Sequence, residues 1–147
     1  MYYFAYGSNL SRRQMSKRCP ESQPKCIAVL PNHELIFTGY SKKWDGGVAS
    51  VKPSTGEIVI GAVYEISERD REQLDICEGH HLDYPRGYNR ENVTVFTKDG
   101  DSVEVITYIK RKQSDERPPS QKYSKAIRQG YKDWGILKAI QQRYKDW

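Results

Sequence analysis

The chain has 147 residues, a net charge of +5, 37% hydrophobic and 29% charged residues, which is enough for one domain that encloses a pocket and too little for two full cores. The basic excess lies mainly at 12–18 and 110–145; it fits a surface that attracts small anions as well as one that binds nucleic acid, and nucleic acid is not expected as the partner. Three scattered cysteines without Cys-x-x-Cys spacing and three His make neither a disulfide framework nor a metal site, no apolar run approaches the ~18–20 residues of a membrane span, and the start is not read as a signal peptide, so a cytoplasmic protein is expected.

In chain order, residues 2–5 are an aromatic run with strand propensity. Gly7, Ser8 and Asn9 break it, and Asn9 or Ser11 can cap a helix over 10–18 that Cys19 and Pro20 end. Strands are expected at 25–30 and 34–38 around a turn at Pro31 and Asn32. Gly46 and Gly47 read as a loop, 48–51 as extended chain, 53–56 as a turn, and the β-branched stretch 58–66 as a central strand.

The period then changes. Ser67 can cap a helix with Glu68, Asp70 and Glu72 at its positive end, Leu74 and Cys77 facing inward, and Gly79 as its stop. Stretches 91–97 and 102–109 alternate apolar and polar residues around 98–101, the pattern of a hairpin with one buried face. Residues 117–120 interrupt it, and helices over 121–134 and 136–144 complete the chain. The tetrapeptide Tyr-Lys-Asp-Trp occurs at 131–134 and again at 144–147; it is too short for a repeat unit and reads as two helix ends with similar packing needs. Strands dominate the first two thirds and helices are inserted rather than alternating. The expected fold class is therefore α+β, a single domain over 1–147 with a mixed, partly closed sheet, and not a doubly wound one.

Two segments could carry chemistry. Tyr6, Gly7, Ser8, Asn9 and Leu10 join a strand to a helix; glycine admits a close ligand, and free N–H groups at a helix start favour an anion or oxyanion. The same segment also reads as a plain capped turn. Glu78 ends a helix, against the dipole, where a carboxyl pKa rises toward the range of a neutral-pH base; it also reads as a solvated surface residue. Cys77 and His80 suggest a thiol nucleophile, but Cys77 reads better as a small core residue, and Ser8 lacks a nucleophile-elbow context.

Taken together, these segments resemble the γ-glutamyl cyclotransferase superfamily. The resemblance rests on 3–10 as its opening signature, Trp44 to Ala49 with paired glycines before a strand, 74–79 around a catalytic glutamate, Tyr88 to Arg90 leading into the next strand, Tyr108, and 118–123. It implies a mixed β-barrel with flanking helices and cleavage of a γ-glutamyl amide, of an amino acid or an amine, to 5-oxoproline and free amine. It places the general acid/base on Glu78 and substrate contacts on Tyr6, Gly7, Ser8, Asn9, Leu10, Tyr108 and Tyr123. It implies no metal, nucleotide or organic cofactor and a small γ-glutamyl substrate as partner; no membrane is expected, and the chain is expected as a monomer or homodimer. The stretch 80–87 is longer than expected between the glutamate and the next strand, as for a lid or a wall that narrows the substrate range. The alternative is a non-catalytic module of the same fold that binds a small anionic metabolite.

Overall fold

The structure is a computed structural model that describes residues 1–113, 115–144 and 147. Its elements are β1 (Tyr2–Ala5), a single 3₁₀ turn (Ser8–Leu10), α1 (Arg12–Arg18), β2 (Gln23–Ser41), β3 (Gly46–Glu65), α2 (Glu68–Cys77), β4 (Tyr88–Thr97), β5 (Ser102–Lys110), α3 (Gln121–Asp133) and α4 (Leu137–Arg143). The five strands close into a barrel in the order β1-β3-β2-β4-β5. Closure is by β1, which runs antiparallel to β3 from Tyr2↔Glu65 to Ala5↔Ala62 and parallel to β5 at Tyr3↔Ile106. The sheet is therefore mixed, and closed rather than partly closed. Closure removes the open edges that would otherwise expose unpaired backbone.

The main correction concerns β2 and β3. The turn residues at 31–32 and 53–56 do not end strands; both lie inside one long ribbon. The register jumps from Pro31↔Ile58 to His33↔Pro53, so extra β3 residues are taken up opposite Asn32. Asn32 adopts φ 57°, and its Oδ1 accepts the Gly56 N–H at 3.1 Å. The turn chemistry is used for a bulge that bends the ribbon, as barrel curvature requires. The segment 46–47, expected as loop, is the start of β3.

The helices follow their caps. Ser11 caps α1, its side chain accepting from Gln14 N–H. Ser67 and Asp70 form a reciprocal capping box on α2. Leu74 of α2 is fully buried, whereas Cys77, expected inside, is exposed. Helix α3 turns Tyr123, Ile127, Gly130 and Tyr131 into the core. Gly130 allows α3 to lie against the 3₁₀ turn: a Cβ there would stand 2.5 Å from Leu10 Cβ. The Leu10 carbonyl accepts the Trp134 indole N–H at 2.9 Å. Of the two Tyr-Lys-Asp-Trp stretches, the first ends α3 with a buried Trp134; in the second, Lys145 and Asp146 lie outside the described residues.

Candidate functional site

A cavity of ≈ 440 Å³ opens at one side of the barrel, and Tyr6, Gly7, Ser8, Asn9, Glu78, Tyr108 and Tyr123 all line it. These residues come from 3–10, the end of α2, β5 and α3, so only the closed fold brings them together. Leu10 is not on the wall. It is fully buried, because its side chain anchors the 3₁₀ turn against α3. Its N–H is also taken, donated to the Gly7 carbonyl at 3.1 Å. The N–H groups of Gly7, Ser8 and Asn9 have no acceptor among the described residues. The predicted anion-binding turn is thus three amides long, not four.

That turn is held rigidly. The Asn9 amide donates to the Tyr3 hydroxyl at 3.0 Å, and its Oδ1 accepts Gln14 Nε2 at 2.9 Å and Arg18 Nη1 at 3.0 Å. Gln14 Nε2 also donates to Ser8 Oγ at 2.8 Å, and the Tyr64 hydroxyl donates to the Asn9 carbonyl at 3.0 Å. The side chains of the turn are spent on their own bracing, and the backbone is what faces the cavity.

Glu78 follows α2 as its C-cap, with N–H donated to the Leu74 carbonyl at 2.9 Å. Its own carbonyl accepts Tyr88 N–H at 3.0 Å, which fixes the start of β4 beside it. Gly79, at φ +65°, then turns the chain in the left-handed conformation that a side chain would resist. Among the described residues Glu78 is the only carboxylate on the cavity wall, and its carboxyl has no ion-pair or hydrogen-bond partner. Burial lifts its pKa to about 7, against the pull of Arg18, Lys110 and Lys43. The residue keeps intermediate exposure because the cavity reaches it. The helix end places the group, as the sequence suggests, but burial leads the shift.

Much of the wall is aromatic. The Ala49 peptide joins two tyrosines: its N–H donates to the Tyr123 hydroxyl at 3.0 Å, and its carbonyl accepts the Tyr88 hydroxyl at 2.8 Å. Trp44 packs on Tyr123 with ring centroids 4.8 Å apart. Tyr6 donates to the Tyr108 carbonyl at 2.5 Å. Burial raises the Tyr6, Tyr88, Tyr108 and Tyr123 hydroxyls above their ordinary range, so they stay neutral. Arg18, Lys43 and Lys110 supply three cations to the wall.

The stretch 80–87 forms part of the wall through His81, Leu82 and Gly87. It is pinned, not hinged. The Arg111 guanidinium donates to the carbonyls of His80 at 2.5 Å, Arg86 at 2.9 Å and Leu82, and to Asn89 Oδ1 at 2.7 Å.

Sequence reasoning gave no role to Arg18, Lys43, Lys110, Tyr3, Tyr88 or Asp75. Tyr88 sits in a segment already singled out, and Asp75 is three residues before Glu78, a helical spacing that could have drawn attention to it. Arg18 and Lys110 fall in the two basic stretches that fit a surface attracting small anions, but nothing local marks them or Lys43 as wall residues, since they are distributed over α1, the β2–β3 turn and β5.

A braced turn of free amides, one carboxyl near neutrality and a neutral aromatic wall are an arrangement that can exchange a proton with a small molecule and accept an anionic group. The family model described as "Gamma-glutamyl cyclotransferase, AIG2-like" matches residues 3–133. The mouse protein named "Gamma-glutamylcyclotransferase" is 31% identical over 138 residues, 91% of this chain and 71% of its own length. The human protein of the same name is 32% identical with the same coverage. A solved structure titled "Gamma-glutamyl cyclotransferase" superposes with a TM-score of 0.89 at 30% identity, covering 97% of this chain and 85% of that one. The chain belongs to the γ-glutamyl cyclotransferase, AIG2-like family. Among the described residues no helix is long and apolar enough to cross a membrane.

Proposed function

We propose that the protein cleaves a γ-glutamyl amide to 5-oxoproline and a free amine, with Glu78 carrying the proton. The observation that supports this most directly is the lone Glu78 carboxyl, near neutral pKa, on the same cavity as the free amides of Gly7 to Asn9. A carboxylate with no partner would repel the ligand of a pure anion-binding module; in an enzyme it is a base held at the working pH.

The substrate's α-ammonium first gives a proton to Glu78. The freed nitrogen attacks its own γ-carbonyl carbon, the new N–C bond forms, and the carbonyl oxygen takes the negative charge. When the carbonyl reforms, the bond to the leaving nitrogen breaks and Glu78 returns its proton there; the ring nitrogen then sheds its second proton through Glu78 to the departing amine, which leaves as an ammonium and restores the carboxylate. No water is consumed. Because the attack is intramolecular, orientation is the main contribution of the protein. The turn amides hold either the α-carboxylate or the developing oxyanion, and Tyr6, Tyr108 and Tyr123 shape the wall.

The test is a panel of γ-glutamyl amino acids, γ-glutamyl amines and glutathione-like peptides, assayed for 5-oxoproline. Release of 5-oxoproline from at least one compound is expected. Absence of product from every one overturns the reading.

A further inference from the structure

Asp75 lies one turn before Glu78 on α2, behind the cavity wall. Its Oδ2 accepts Arg71 Nη1 at 2.8 Å and Arg90 Nη1. Its Oδ1 accepts the Tyr108 hydroxyl at 2.6 Å. Burial pushes the Asp75 carboxyl up, but Tyr108 and Arg90 outweigh it and hold the group below its ordinary range, so it is ionised. An ionised carboxylate only accepts. The single Tyr108 proton is therefore committed to Asp75. Tyr108 is buried and is one of the residues that line the cavity; with its proton committed, its hydroxyl oxygen has only lone pairs left to offer a ligand.

We infer that Asp75 is a positioning residue for the reacting nitrogen: it makes the Tyr108 oxygen a fixed acceptor that takes an N–H of the substrate's α-amino group. This rests on the cyclotransferase reading of the cavity. After Glu78 takes one proton, the amine has two N–H groups and one lone pair. The lone pair must face the γ-carbonyl. An acceptor at one N–H turns it there, whereas a rotatable hydroxyl would donate to the lone pair and quench the nucleophile. The lactam N–H of the product is the same nitrogen, so it meets the same acceptor.

Asp75→Asn tests the polarity. Arg71 and Arg90 demand an oxygen, so the introduced amide turns its NH₂ to Tyr108, which must then donate into the cavity. Asp75→Ala only frees the hydroxyl, and Tyr108→Phe removes it. Two readouts serve: calorimetric binding of 5-oxoproline, and kcat/KM for the best γ-glutamyl compound of the panel. Asp75→Asn and Tyr108→Phe should each weaken both by about tenfold or more. Adding Asp75→Asn to Tyr108→Phe should change neither by more than about twofold, because the two residues act through one contact. Asp75→Asn should be at least as impaired as Asp75→Ala, although the alanine strands two guanidinium groups and should melt lower. Losses that multiply in the double variant overturn the inference, as does activity that ranks with melting temperature or an unaffected Asp75→Asn. If the wild type binds 5-oxoproline but turns over no γ-glutamyl compound, only the functional reading falls and the binding cycle still decides the role of Asp75. If it does neither, both fall.

Discussion

Asp75 in the last turn of α2 and Glu78 at its C-cap are two carboxylates in opposite surroundings. Asp75, at the inner turn, is met by two guanidinium groups and a phenol, which hold it ionised below its ordinary range. Glu78, at the helix end, has no partner among the described residues, and burial lifts it to about 7. One helix thus fixes a permanent charge and, three residues on, a group that exchanges its proton near neutral pH. The contrast teaches that partners, not residue type, divide structure from chemistry. A carboxylate with its hydrogen bonds filled can only hold other groups in place; an unfilled one is available to a substrate.

The most direct way to break the contrast is Glu78→Gln, which keeps the shape and removes the titration. Loss of a general base predicts a fall in kcat of ~10²–10⁴-fold with KM little changed. The same assignment predicts that kcat/KM of the wild type rises with pH through about 7, where the free Glu78 carboxyl loses its proton. Steady-state kinetics across pH checks both, and full activity in Glu78→Gln would remove Glu78 from the mechanism.

The second prediction concerns stability, and its sign follows from the direction of the shift. Glu78 is raised from 4.5 to about 7 on folding, so between those values the folded state binds more protons than the unfolded one. Stability contributed by this group therefore falls as pH rises from about 4.5 to about 7 and then levels off. The full displacement corresponds to about 3 kcal/mol, and solvent entering the cavity reduces it to about 1–2 kcal/mol. Glu78→Gln should therefore melt higher than the wild type at pH 8 and near the wild-type temperature at pH 4.5. Asp75 has the opposite sign: its contribution is present at neutral pH and is lost on acidification. A melting difference for Glu78→Gln that grows on acidification would contradict the assignment.

How much of this pair was legible in the sequence follows from where their partners lie. Glu78 could be singled out because its helix, its cap and the Gly79 stop are all local. Asp75 could not be assigned a role, since what defines it is Tyr108 33 positions on and Arg90 on β4. The same division runs through the fold. Helix boundaries set by Ser67, by Ser120, whose side chain accepts the Tyr123 N–H at the start of α3, and by Gly79 fall close to the expected places, because capping is decided by neighbouring backbone. The residues at 31–32 and 53–56 misled for the converse reason: turn chemistry and bulge chemistry use the same residues, and only the partner strand decides between them. Leu10 looked like part of the loop by adjacency, and its fate was set by Gly130 and Trp134 on the far side of the chain.

The wall beyond Glu78 offers a smaller test. Asp75 keeps its place through two partly buried ion pairs, whereas 80–87 is held by the single guanidinium of Arg111 together with backbone bonds at its two ends. Arg111→Ala should loosen that wall without reaching the proton carrier. A rise in KM of about tenfold with kcat within about threefold is expected, since hydrogen bonds from a charged group are lost but no group on the reacting atoms changes. Kinetics with a short and a long leaving group checks it, and a fall in kcat that matches Glu78→Gln would mean that 80–87 positions the carboxyl after all.

The smallest expected effect sharpens the contrast most. Cys77 was expected in the core; it is exposed and lines the cavity beside Glu78. Its position therefore reopens a thiol nucleophile, with an acyl-thioester intermediate, as a rival to intramolecular attack. The two schemes differ in what they need. A thioester route requires the sulfur, and losing it would cost orders of magnitude in kcat. In the cyclisation the nucleophile is the substrate's own amine and the only proton carrier is Glu78, so Cys77→Ser should leave kcat and KM within about twofold. A large loss in Cys77→Ser, together with a burst of leaving amine ahead of 5-oxoproline in the wild type, would move the chemistry one residue along α2 and leave Glu78 as its base.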